Sequence, residues 1–264
     1  MENINTNQDY QQLNQEQKSL KKARQNTFLA GSIIWFIYGT IIAFVSAIVT
    51  LFVIKNTKTF EMLTTNYIFM IIFSCVTFIA ITIEFFVGPK MNFWLQLFVV
   101  TISMIGIGVV VLSVGLFNLV LAFSPGDNVN STLVLIKILS IILAPLLLMG
   151  LFGILGMYDL IKVNVWTIAS IIFAIGFFFI FFLSFFVFNS WIRALFPALG
   201  FMLMLCYMAL DWFCITKINK AYNMTIQRDD MLKKEMFKLS LYFGFRLSFD
   251  YIYMLIYLIQ IFKN

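Results

Sequence analysis

The sequence predicts an all-α membrane protein, a seven-transmembrane-helix bundle with its amino terminus in the cytosol. Three observations carry that expectation. Of 264 residues, 62% are apolar and only 11% charged, where soluble domains run near half apolar and a quarter charged. The apolar residues fall into seven long runs separated by short polar breaks. No run alternates with the period of two that a barrel strand requires.

The runs are read by length. A helix needs roughly 20 residues to cross the hydrocarbon, and apolar stretches lie at about 28–54, 67–87, 93–123, 131–156, 165–188, 192–215 and 239–262. Polar or helix-breaking residues divide them, among them Gly88-Pro89-Lys90, Ser124-Pro125-Gly126-Asp127, Tyr158-Asp159 and Asn189-Ser190. The 93–123 run is long for one helix, yet too short for two spans and a turn. The first run is too long for the apolar core of a signal peptide and has no small-residue cleavage site, so it is expected to anchor itself. Residues 1–26, rich in Gln, Asn and Lys, form a polar tail of disordered composition. The remainder, 27–264, reads as one transmembrane domain with a long charged cytosolic loop at 216–238.

Basic residues set the orientation. With the amino terminus inside, twelve Lys and Arg fall in inner segments, from Lys18 to Lys238, while Lys55, Lys58, Arg193 and Lys263 fall outside. Lys137 and Arg246 lie within spans and complete the total of 18 (12 + 4 + 2). The net charge of +6 therefore reflects inner-loop lysines and gives no reason to expect nucleic acid as a partner. Membrane lipids are the expected surroundings; nothing in the tail specifies a protein partner.

Composition narrows the chemistry further. There is no histidine, and the three cysteines all sit in apolar runs. Imidazole catalysis and imidazole metal sites are excluded, and no disulfide framework follows from an odd cysteine count. Without histidine no ordinary nucleophile–base pair can be assembled, so the chain reads as a non-enzyme without a cofactor. Gly106 and Gly108, and Gly153 and Gly156, are small-residue steps of the kind that let membrane helices approach closely. Pro145 and Pro197 are expected to kink the fourth and sixth helices. Asn130-Ser131-Thr132 is a glycosylation sequon too close to the membrane for use, and Asn223-Met224-Thr225 one on the wrong side.

Ionisable groups inside spans are costly and are functional candidates by default. Lys137 is near the outer end of its helix and can snorkel. Glu84 lies near the inner end of the second span, where headgroup water is within reach; it is a candidate modulator. Asp211 and Asp250 sit deeper, one on each of two adjacent antiparallel helices. Either each faces water separately, or the two meet. Meeting carboxylates cannot easily both be ionised, so they would share one proton. Loss of that proton would set like charges against each other and expose oxygen ligands of the kind calcium takes. Arg246, the other candidate modulator, lies four residues before Asp250 on the same helix face. It could pair with Asp250 along the helix, snorkel toward headgroups, or do both.

At these residues the sequence resembles the transmembrane Bax inhibitor motif family, also called the lifeguard or Bax inhibitor-like family. Trp191 is followed by Ala198-Leu199-Gly200 and then by Asp211, at the family's offsets. Asp250 is followed by an aliphatic and aromatic run closing on Gln260-Ile261-Phe262, again as in the family. The resemblance covers about the last third of the chain. It implies a seven-helix bundle in the endoplasmic reticulum or Golgi membrane, a pH-sensitive calcium leak, and a part in modulating cell death. Asp211 and Asp250 take the places of the family's paired, proton-sensing, pore-gating aspartates, and calcium would be the permeant ion they meet.

Three departures accompany it. Trp212-Phe213 stand where the family has Thr-Gln, and Arg246 stands where it has a neutral residue. The interval between the aspartates is roughly a dozen residues longer than in the family, ~18 Å of helix. The sixth and seventh helices are therefore expected to run about two turns each beyond the membrane, which keeps the two aspartates level. Two other functions stay open: a proton-coupled transporter using the same aspartates, and a non-conducting regulatory membrane protein.

Overall fold

The structure, a computed structural model, describes residues 27–56, 67–123, 131–160, 162–186, 190–225 and 230–263. The tail 1–26 and the acceptor Asn130 lie outside the described residues. Among the described residues, seven helices are long and apolar enough to cross a membrane. They are α1 (Thr27–Asn56), α2 (Tyr67–Val87), α3, α4 (Ser131–Met157), α5 (Val163–Ser184), α6 (Ser190–Thr225) and α7 (Asp230–Lys263). The third comprises Phe93–Ile107, a π-helical turn at Gly108–Leu112, and Ser113–Phe123. A single helix thus fills the long 93–123 run. The chain is an all-α seven-helix membrane bundle.

Each helix starts and stops where the breakers require, with one informative exception. Gly88, Pro89 and Lys90 form a short 3-10 turn between α2 and α3. Asp159 ends α4 at a positive φ of 56°. No such breaker exists between Gly200 and Gly244, a stretch without Gly or Pro. Accordingly α6 runs on to Thr225 and α7 begins at Asp230, so most of 216–238 is helical. Pro145 and Pro197 both sit inside continuous helices.

The ends of α1 at Thr27, α2, α4 and α6, and the starts of α3, α5 and α7, lie at one end of the bundle, called here the basic end. It carries Lys90, Lys162, Lys217, Lys220, Lys234 and Lys238. Lys220 on α6 makes an ion pair with Asp159 there, both side chains largely exposed. Exposed pairs contribute little, and Lys220→Ala is expected to leave thermal stability in detergent within about 0.5 kcal/mol of the parent.

α7 is the central helix. Of its candidate span 61% is buried inside the bundle, against 6% for α5, which rests almost wholly on α6. α7 packs most extensively on α1 and α6. The α1 contact is built from small residues: Ser240, Gly244 and Ser248 recur every four positions on α7 and face Gly31, Ser32 and Gly39 of α1. A Cβ at Gly244 would overlap Trp35 Cβ and come within 2.9 Å of the Phe36 nitrogen and the Ser32 carbonyl oxygen. Ser248 Oγ also donates across the interface to the Phe36 carbonyl at 2.9 Å. Hydrocarbon offers no hydrophobic drive for helices to associate, so close backbone approach and such bonds hold the pair.

The same logic operates elsewhere. Gly108 lies against Ala43 and Ser46 of α1, Gly106 against Thr77 of α2, and Gly200 of α6 against the Tyr257 ring of α7. The paired small residues expected at 106–108 are thus packing positions. Gly244→Ala should destabilise the purified protein by about 1–3 kcal/mol, the usual overpacking cost. Gly150→Ala, where a Cβ meets nothing within 4 Å, should not. Unfolding of both variants in detergent checks the contrast.

Candidate functional site

α6 and α7 lie side by side from the basic end, and their buried faces carry two of the buried acids of the bundle interior. Asp211 on α6 is 1% exposed and Asp250 on α7 is 4% exposed. Their carboxyl groups are neighbours across the α6–α7 contact, although no hydrogen bond between them is aligned. The interval between them is taken up by α6 running on to Thr225 and α7 beginning at Asp230, which leaves the two acids side by side.

Arg246 completes the cluster, and it is ion-paired with Asp211. One guanidinium nitrogen sits 2.5 Å from Asp211 Oδ1. The ion pair therefore crosses from α7 to α6 instead of running along α7 to Asp250, and the side chain, 26% exposed, turns inward. The i,i+4 spacing does place Arg246 and Asp250 on one face. Asp211 faces the space between them, and the cross-helix geometry takes the arginine. The guanidinium also lies over two rings, 5.7 Å from the centre of Tyr242 and 6.0 Å from that of Phe243. Stacking of this kind helps hold a charge that has left water.

The bonding of the acids is incomplete. Both Asp211 oxygens and Asp250 Oδ2 are buried without an aligned hydrogen-bond donor, and Arg246 Nε has no acceptor. Trp212, next to Asp211, points away and lays its indole edge on α4, where a Cβ at Gly153 would come within 3.2 Å of the ring. The bulk in this position is matched by an absence of side chain opposite. Cys214, one turn along, is a free thiol of intermediate exposure.

Glu84 departs from its expected place. Headgroup water is not within its reach: the residue is 0% exposed, and so is Gln96 of α3, whose amide Nε2 donates to Glu84 Oε1 at 2.9 Å. The cause is the 3-10 turn, which folds over the end of α2 and brings the start of α3 back against it. Gln96 went unmarked in the sequence although a lone glutamine in the apolar run from Phe93 to Val100 was a legible signal. Tyr242 was missed as well. Its hydroxyl donates to the Phe85 carbonyl at 3.4 Å, joining α7 to α2 next to Glu84. Lys137 lies exposed near the start of α4, where a lysine can snorkel.

The structure thus gathers Asp211, Asp250 and Arg246 into one cluster and sets Glu84 apart with Gln96. Compared with protein-family models, curated proteins and solved structures, the chain matches none. Among the described residues no group of three His, Cys, Asp or Glu comes together. Two carboxylates and a guanidinium hold a proton between them better than they hold a resident metal ion. A passing cation would meet two acids at most.

Proposed function

We propose that the protein is a pH-sensitive calcium leak channel of the endoplasmic reticulum or Golgi membrane, a member of the transmembrane Bax inhibitor motif family with its basic end toward the cytosol. The reading rests on one observation: two buried acids on adjacent helices are neighbours inside an apolar bundle, and an arginine is ion-paired with one of them.

Charge counting gives the mechanism. With one proton on the acid pair, Asp211, Asp250 and Arg246 sum to zero, and the interior tolerates them. Without that proton the cluster carries one net negative charge, and two carboxylates ~4 Å apart repel by about 4 kcal/mol at an effective dielectric constant of 20. The repulsion drives α6 and α7 apart at this level, and the negative charge attracts a cation to the opened space. Calcium, which takes carboxylate oxygens, is the cargo this arrangement favours. Alkalinisation opens the path and acidification closes it.

Reconstitution into liposomes tests the proposal. Calcium should run down its gradient faster at higher pH, and the Asp211→Asn, Asp250→Asn double variant should lose that dependence. Flux that keeps its pH dependence in the double variant would overturn the role of the acids, and a parent with no flux above that of protein-free liposomes would favour a regulatory protein without flux of its own.

One observation favours a second reading. Arg246 already occupies Asp211, so a permeant cation must displace a guanidinium. A proton-coupled transporter, in which arginine and proton compete for the acids while a solute moves, accommodates this directly. Proton counterflow in fixed ratio to the transported solute distinguishes the carrier from a passive leak.

A further inference from the structure

Glu84 and Gln96 have no place in the mechanism above, yet each is completely buried in the α2–α3 hairpin. Their bonding is half made. Gln96 Nε2 donates to Glu84 Oε1 at 2.9 Å, while Glu84 Oε2 and Gln96 Oε1, the other oxygen of each group, have no partner. A carboxylate cannot satisfy both, because each unpartnered atom is an acceptor.

One hydrogen on Glu84 Oε2 changes this. A carboxylic acid facing a primary amide forms a cyclic pair: the amide N–H donates to the acid carbonyl, and the acid O–H donates to the amide carbonyl. The first of these bonds is present. The second would pair both remaining oxygens at once. The surroundings favour the neutral acid, since no basic group among the described residues is ion-paired with Glu84. On the turn, Lys90 is exposed. From α7 come Tyr242, engaged with the Phe85 carbonyl, and half-buried Lys238 one turn earlier. Arg246 is taken by Asp211. Gly88 closes the site: a Cβ there would stand 2.5 Å from Glu84 Oε1. The backbone of the turn therefore lies directly over the carboxyl group and shuts out water, as a buried polar pair without counter-charge requires.

We propose that Glu84 and Gln96 form a second proton-binding site, an acid–amide ring that ties α2 to α3 and is separate from the Asp211/Asp250 pair. Uptake of the proton closes the ring and locks the hairpin; its loss leaves a bare carboxylate under the Gly88 turn and loosens the junction with α7 at Tyr242. The site does not depend on whether the aspartates gate a pore.

Infrared difference spectroscopy of the full-length protein in lipid membranes, stepped in pH, tests this. A protonated-carboxyl stretching band should disappear on alkalinisation, shift when the protein carries isotope-labelled glutamate, and remain in the Asp211→Asn, Asp250→Asn double variant. Glu84→Gln should abolish the glutamate band, and Gln96→Leu should move it to the position of a weakly bonded acid. A glutamate-labelled spectrum with no shifted carboxyl band at about pH 6, where exposed glutamates are ionised, would overturn the proposal, and that measurement needs no substitution to fold. Persistence of the glutamate band at that pH in Glu84→Gln would overturn it equally.

Discussion

Arg246→Gln is expected to lower the stability of the purified protein by about 3–5 kcal/mol, the cost of leaving one partner of a buried ion pair uncompensated. Asp211 is 1% exposed, and among the described residues its only charged contact within ion-pair distance is the Arg246 guanidinium at 2.5 Å. Removing the guanidinium leaves the carboxylate in hydrocarbon beside a second acid. The loss should be smaller at acidic pH, where both acids can take up protons and no bare charge remains. Asp211→Asn added to Arg246→Gln should recover most of the deficit, because the double variant has no unpaired charge there. Asp250 remains in it with the shared proton no longer contested. Unfolding of the parent, both single variants and the double variant gives a mutant cycle with a coupling energy of several kcal/mol. Two single-variant losses that simply add would show that the pair is not coupled and that the arginine acts only through its ring contacts.

Asp250→Asn is the second large effect. The amide mimics the protonated acid and cannot lose its hydrogen, so alkalinisation leaves the cluster neutral with Arg246 and Asp211. Calcium release from liposomes should then remain at its low-pH rate throughout, whereas the parent accelerates as pH rises. Arg246→Gln changes the sum in the opposite sense: with one proton bound the cluster already carries a negative charge. That variant should leak at pH values where the parent is closed, provided it is measured where it is still folded. Opposite displacements of the two variants from the parent profile are the signature of charge balance. Asp250→Asn flux that still follows pH like the parent would place the proton sensor elsewhere.

The sequence and the tertiary structure divide this protein along a physical line. Hydropathy alone determined the number of helices and placed the first five to within about four residues at each end, because a run's length against the bilayer thickness needs no knowledge of neighbours. It also located Asp211 and Asp250, since ionisable residues stand out in an apolar run. The ends of α6 and α7 were not legible by that means: hydropathy marks where hydrocarbon stops, and a helix continues until a breaker or an unfavourable backbone ends it. Only the packed bundle decided which charges meet. Helix periodicity aims Arg246 toward Asp250, but Asp211 arrives from α6, and a guanidinium takes the carboxylate that the neighbouring helix presents. Glu84 was placed by sequence at a wet interface, and a three-residue turn buried it against Gln96. The face a side chain takes is local and follows from periodicity. Its partner is set by which helix lies opposite, and in a membrane that is decided by how closely small residues such as Gly244 let two backbones approach.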